Sequence, residues 1–209
     1  ISPETQKGTA SHESGHAIVA INTKGAHPVH KATIVPRGRS LGMVMQLPEG
    51  DQTSETRQQM LARMDVCMGG RVAEELIFGE DGVTSGASSD FQQATAIARR
   101  MVMAYGMVDK VGIVRYSDND LKELAPDTRK LIDDSIKNLL EQSYARAKAC
   151  LIKHQKDHDN LAKALIQFET LSGDEIKSFL KGGKIVREVP VAPAPSKGET
   201  ASEEVAATV

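Results

Sequence analysis

The stretch TASHESGHAIVA, Thr9 to Ala20, sets two histidines four residues apart with a glutamate directly after the first. On a helix, residues i and i+4 share a face, so His12 and His16 can present two imidazole nitrogens to one cation. Glu13 points about 100° around the helix from His12. That makes it a poor third ligand but a well-placed neighbour for a metal-bound water. Two ligands and a general base are the physical content of an H-E-x-x-H pattern in zinc hydrolases. The metal acidifies its water, the carboxylate takes the proton, and the leaving amine later receives it. The apolar run AIVAI follows at once, and Gly15 opens room beside the pair. Both features suit a buried metal-binding helix better than a solvated face.

A hydrolytic zinc site takes three protein ligands and keeps one position open. No third histidine follows at the spacing H-E-x-x-H-x-x-G-x-x-H, because Val19, Ala20 and Asn22 come next instead. Carboxylates remain. Glu74 and Glu75 lie in RVAEELIFG on a predicted helix, where they suit an exposed face or a hydrogen bond to a ligand histidine from behind. Asp90 lies in TSGASSDFQQAT at a predicted helix start, where an acid also complements the helix dipole. Spacing alone does not choose among them. A second pair, His154 and His158 in KHQKDHDN, is also i and i+4, but Gln155 follows the first and Lys153, Lys156 and Asp157 surround it. That pair reads as a solvated helix face. His27 and His30 flank Pro28 in a turn and read as structural.

The elements that must position these residues are mainly helical. The first helix is expected to start between residues 5 and 9 and to end before Pro28, with Gly25 as a further breaker. Two strands, 31–35 and 41–47, follow, joined by PRGRS, with Pro36 at a strand end. Ser54 opens a long helix in which Met60, Leu61, Met64, Met68 and Val72 recur at helical spacing and Gly79 is the C-cap. Gly69-Gly70 inside it costs about 1 kcal/mol per glycine relative to Ala, which points to close packing against a neighbour. A loop, EDGVTSGASSD, leads to a helix capped by Ser88 or Ser89 and ended by Gly106. Helices over about 127–156 and 160–168 come next, then a short one behind a capping box, Ser172 to Glu175. From Gly182 the composition turns to Gly, Pro, Ala, Glu and Ser, which predicts a disordered tail over 182–209 behind a domain of 1–181.

Bulk composition narrows the classes. A chain of 209 residues can bury a real core as one domain plus a tail. A net charge of -2 gives no reason to expect nucleic acid or an acidic membrane surface. Trp is absent and only three Tyr and four Phe occur, which argues against a stacking surface for bases or sugars. Cys67 and Cys150 lack CxxC spacing and read as reduced thiols in helices. No apolar run approaches ~18 residues, so nothing in the sequence reads as a membrane span.

Taken in order, HESGHAIVA, HKATIVPRGRSLGMVMQLPE, DVCMGGRVAEELIFG and VTSGASSDFQQAT resemble the peptidase domain of the FtsH family, the membrane-anchored, ATP-dependent zinc proteases of peptidase family M41. The resemblance covers residues 5–180, and several motifs match at once. DVCMGGRVAEELIFG is closest to the organellar branch, the i-AAA type of mitochondria and its plant relatives. Ser11 and Ser14 stand where many relatives carry an aromatic and an alanine, away from the metal chemistry.

The resemblance implies a mainly helical fold with a small β element and one Zn2+ per chain. It implies zinc ligands at His12, His16 and Asp90 and a catalytic base at Glu13, with Glu74 and Glu75 supporting or structural. It also implies a hexameric ring acting on unfolded polypeptides, and a second strand, 41–47, that pairs with extended substrate beside the site. No G-x-x-x-x-G-K-[ST] occurs. The ATPase module, with its ATP and Mg2+, and the membrane anchor are therefore expected before Ile1 in a longer parent. The compartment implied is an organellar inner membrane, on the intermembrane-space side of mitochondria, with chloroplast and bacterial inner membrane as alternatives. The competing expectations are a pseudopeptidase, a helical assembly module that has lost turnover, and a metal-binding helical domain without hydrolysis.

Overall fold

The computed structural model describes residues 1–187. Helix α1, Pro3–Asn22, begins where Ser2 accepts from the Thr5 amide and Pro3 supplies a first-turn φ. That cap starts the helix earlier than residues 5–9. From Ala10 to Ala20 almost every side chain of α1 is buried, because the helix runs between α2 (Arg57–Phe78), α4 (Pro126–Lys153), α5 (Gln155–Phe168) and the sheet. Thr56 and Gln59 form a reciprocal capping box at the start of α2, two residues later than Ser54, and Gly79 ends it at φ 77°. Helices α3 (Ser88–Met103) and α6 (Gly173–Leu180) complete the set of α-helices among the described residues, and Ser172 and Glu175 form the expected box before α6.

The sheet is antiparallel, with β1 (Val29–Thr33) between β2 (Met43–Gln46) and β3 (Thr170–Ser172). Thr33 faces Met43 on one side and Thr170 on the other. β3 is a strand the sequence did not announce. Three residues carry no visible alternation, and its partner is 137 residues away, where the Thr33 and Thr170 hydroxyls meet at 2.7 Å. β2 pairs on one side only among the described residues.

The strands occupy Val29–Thr33 and Met43–Gln46 in place of 31–35 and 41–47, and further boundaries differ for physical reasons. Ser88 and Ser89 lie inside α3 instead of capping it; a short turn, Ser85–Ala87, precedes the helix and Thr84 Oγ1 accepts from Gly86 there. The helix expected over 127–156 breaks at His154 (φ -108°, ψ 29°), so α5 starts at Gln155. Over 183–187 the chain has no regular structure, yet Arg187 bonds the Thr170 carbonyl and Glu175, and Ile185 packs on the core. The rest of the expected tail, 188–209, lies outside the described residues.

Two apolar clusters hold the helices. One gathers α1, α5 and the sheet around Ile18, Val19, Leu161, Leu165 and Leu171. The other joins α2, α3 and α4 through Met60, Met64, Met101, Ile132 and Ile136. Methionine fills there what aromatics fill in other cores. Buried Asp65 on α2 accepts from Ser143 at 2.7 Å and from Arg146 at 2.9 Å, tying α2 to α4. Cys67 and Cys150 are free thiols. No helix among the described residues is long and apolar enough to cross a membrane.

Candidate metal centre

Close approach of α1 and α2 sets the site. A Cβ on Gly15 would come within 2.5 Å of the Gly69 carbonyl oxygen and 2.6 Å of Ala73 Cβ. A Cβ on Gly70 would run into the His12 ring and come within 2.7 Å of His16 Nε2. These glycines let two helices touch backbone to backbone, and the space above Gly70 holds both imidazoles.

His12 and His16 turn their Nε2 atoms toward each other at 3.0 Å. Asp90, in the first turn of α3, brings Oδ2 to 3.1 Å from His12 Nε2 and 3.3 Å from His16 Nε2. Three ligand atoms around a tetrahedral zinc at 2.0–2.1 Å would stand about 3.3 Å apart. The observed triangle is close to that edge length. The far ring nitrogens are committed elsewhere: His12 Nδ1 donates to Glu74 Oε2 at 2.8 Å and His16 Nδ1 to the Val66 carbonyl at 2.6 Å. Such bonds from behind fix the tautomer that leaves Nε2 for a metal. His12, His16 and Asp90 form a three-ligand cluster, the donor types that zinc favours. Of the three carboxylates open at the sequence level, Asp90 joins the cluster and Glu74 stands behind it. Glu75 faces away, 3.4 Å from Lys148.

The electrostatics ask for a cation. Burial works against charge on His12, but hydrogen bonds to Asp90 and Glu74 and the nearby Glu13 charge outweigh it and raise the imidazole to about 10. Burial would likewise raise Asp90, yet its bonds to His12 and His16 hold it well below the usual carboxylate range. Burial lifts Glu13 above its ordinary value, partly offset by the charges of His16 and His12. Glu13 is 7% exposed and has no hydrogen-bond partner among the described residues, so its carboxylate is uncommitted. The chain before β2 crosses it closely: a Cβ on Gly42 would meet Glu13 Cγ at 2.8 Å.

The cluster opens into a cleft of about 710 Å³ whose walls include Gly42, Met43, Val44 and Gln46 from the β2 side and Gln93 and Ile97 from α3. His27, Arg63 and Arg100 line it as well. Sequence reading placed His27 in a structural turn and did not single out the arginines. No spacing links them to the motif, and only the fold brings them to one wall. His158 also departs from its expected solvated face: it is 3% exposed and its Nε2 donates to the Ser11 carbonyl at 2.9 Å. His158, Leu161 and Leu165 share one face of α5 at 3- and 4-residue spacing, and the charged neighbours Lys156, Asp157 and Asp159 obscured it.

The model of peptidase family M41 matches residues 1–179. The chain belongs to this family. It is 56% identical over 177 residues to the ATP-dependent zinc metalloprotease YME1L1 of Mus musculus, covering 85% of this chain and 24% of that protein. It is 53% identical over 180 residues to the ATP-dependent zinc metalloprotease FTSH 11, chloroplastic/mitochondrial, of Arabidopsis thaliana, covering 86% of this chain and 22% of that protein. With the ATP-dependent zinc metalloprotease FtsH of Caulobacter vibrioides the identity is 50% over 190 residues, 86% of this chain and 30% of the relative. The M41 chain thus spans less than a third of the length of these curated relatives. The mainly helical fold with a small sheet agrees with membership.

Proposed function

We propose that this M41 chain is the zinc endopeptidase module of an ATP-dependent protease. The observation that carries the reading is the triangle of His12 Nε2, His16 Nε2 and Asp90 Oδ2, with 3.0 to 3.3 Å sides, beside an uncommitted Glu13. His12, His16 and Asp90 would hold one zinc. Bound there, zinc supplies a Lewis acid for the scissile carbonyl and makes water acidic near neutral pH. Glu13 takes a proton from the attacking water and delivers it to the leaving nitrogen. Its burial keeps the carboxylate within reach of both roles, because a base with a raised pKa is also a better acid-form donor near neutral pH.

The side of β2 left unpaired among the described residues supports a binding mode. An extended chain added there as a further strand lies along the cleft that holds the cluster, and backbone pairing tolerates many sequences. The substrates on this reading are unfolded polypeptides. The catalytic unit runs through residue 181. Assembly into a hexameric ring, an ATPase module with ATP and Mg2+, a membrane anchor and an organellar inner-membrane location belong to the same proposal. They rest on the family and on relatives named as ATP-dependent and, for the plant protein, chloroplastic/mitochondrial.

Zinc per chain and cleavage of an unfolded casein test it together. Wild type is expected to hold one zinc and to cleave, with a chelator abolishing cleavage. Asp90→Asn is expected to lose the metal. Glu13→Gln is expected to keep the metal and lose about 10²–10⁴ in rate, the usual contribution of a general acid-base. A wild type that holds zinc but cleaves nothing would make it a pseudopeptidase, and one that holds no zinc would remove the site.

A further inference from the structure

His158 is the one buried histidine that the proposed chemistry does not use. It sits on the first turns of α5, 147 residues from its partner, and gives its Nε2–H to the Ser11 carbonyl at 2.9 Å. That carbonyl belongs to the peptide unit whose nitrogen is His12's own. It lies inside α1, where the helix ladder already uses it, and the Ser14 hydroxyl also approaches it at 3.2 Å. The extra donor is thus not needed to satisfy a bare oxygen. What it adds is a fixed point between α5 and one particular peptide plane.

His12 is then held from two directions. Its ring is held from α2 by Glu74, and its backbone from α5 by His158. His16 has only the first kind of hold, through the Val66 carbonyl of α2. A peptide plane that tilts swings the attached Cα–Cβ vector. Across the length of a histidine side chain a small tilt displaces Nε2 by several tenths of an ångström. A triangle with 3.0 to 3.3 Å sides tolerates little of that, since ligand distances in zinc sites fall within about 0.2 Å of their ideal values. We infer that His158 is a positioning residue for the metal centre, fixing the Ser11–His12 peptide so that the His12 ring meets the other two ligands. The inference rests on the proposed zinc site.

Two roles must be separated, because α5 also contributes Leu161 and Leu165 to the core. His158→Leu fills the space without a donor. His158→Gln keeps an amide N–H where Nε2–H was. Leu165→Ala weakens the same helix contact without touching the Ser11 carbonyl. For each, zinc affinity is measured by competition with a chromogenic chelator, the d–d spectrum is recorded with Co2+ in place of zinc, and thermal unfolding is followed in EDTA. The expected result is a loss of about tenfold or more in zinc affinity with a shifted Co2+ spectrum for His158→Leu, the size seen for groups that orient metal ligands. His158→Gln is expected to return to within about threefold, and Leu165→Ala to melt earlier in EDTA with unchanged affinity and spectrum.

Wild-type affinity and spectrum in His158→Leu would overturn the inference. So would an affinity loss that His158→Gln fails to restore, or one that Leu165→Ala reproduces. If His158→Leu does not fold, His158→Asn, whose amide is one bond shorter, replaces it against His158→Gln, and equal affinity in that pair overturns the inference. A wild type without zinc would fail the proposed function itself, which the same titration distinguishes.

Discussion

One oxygen of Glu74 meets His12 Nδ1, and the other accepts from both the amide of Thr84 at 2.9 Å and its hydroxyl at 2.6 Å. Thr84 heads the turn that leads into Asp90, and Arg71 holds its carbonyl at 3.2 Å. A single carboxylate thus links the helix that carries two of the proposed ligands to the turn before α3, which carries the third. Its bonds to His12 and Thr84 overcome the effect of burial and keep Glu74 below its ordinary pKa, so it stays ionised and acceptor-only. Glu74→Gln is expected to keep the fold and lose about 10–100-fold in zinc affinity, measured by chelator competition. His158 makes a different prediction at the same scale. Burial holds its pKa below the ordinary 6.5, whereas in the unfolded chain it titrates near 6.5. Between the two values the unfolded state binds more protons, so the stability present above pH ~6.5 is lost as pH falls toward the folded value. Wild type in EDTA should therefore lose melting temperature from pH 7 to pH 5.5 more steeply than His158→Gln; parallel curves would count against a buried neutral imidazole.

Among the elements, the α1–α2 crossing bears the most constraint. Gly15 and Gly69 set its closeness, and Gly70 leaves the room that the two imidazoles occupy. The positions therefore predict different failures. Gly15→Ala pushes a methyl against the backbone of α2 and should cost about 1–3 kcal/mol in unfolding measured without metal, as overpacking does. Gly70→Ala pushes its methyl into the ligand rings and should lower zinc affinity beyond any loss of metal-free stability. At this scale the sequence was partly legible. H-E-x-x-H and the glycine pair were visible because their spacing is local, and Gly69-Gly70 was costly enough to demand a neighbour. The identity of that neighbour was not visible, since Gly15 lies more than two helix lengths away in the chain. Asp90 and Glu74 were indistinguishable on spacing because both are acids on helices, and only the ring nitrogen that each faces separates them. β3 was hidden by its shortness, and the break at His154 by polar residues that fit a helix or a joint equally well.

Across the whole molecule, α1 is the shared member. Its residues reach α2, α4, α5 and the sheet, so the candidate centre sits on a helix packed against most of the other elements, and it faces the cleft. Metal and fold are then linked: a ligand that binds only the native state raises stability by RT ln(1 + [L]/Kd), about 4 kcal/mol at a thousandfold excess over Kd. Zinc-loaded wild type should melt several degrees above the EDTA-treated chain in calorimetry, and Asp90→Asn should show no such gap.

The edge of β2 that is unpaired among the described residues has a consequence for how clients would be chosen on the proposed function. Backbone amides and carbonyls are the same in every protein, so such an edge does not rank clients by their letters. It ranks them by how often a stretch of chain comes loose, which is a property of the client's own folding equilibrium. When opening and closing are fast, cleavage follows the population of the open form, and ~1.4 kcal/mol changes that population tenfold. Given a graded series of destabilised variants of one small folded protein, this chain alone should cut them at rates that climb about tenfold for each ~1.4 kcal/mol of stability lost. On that proposal the strand edge would act as a gauge of other proteins' free energy, read out as their lifetime.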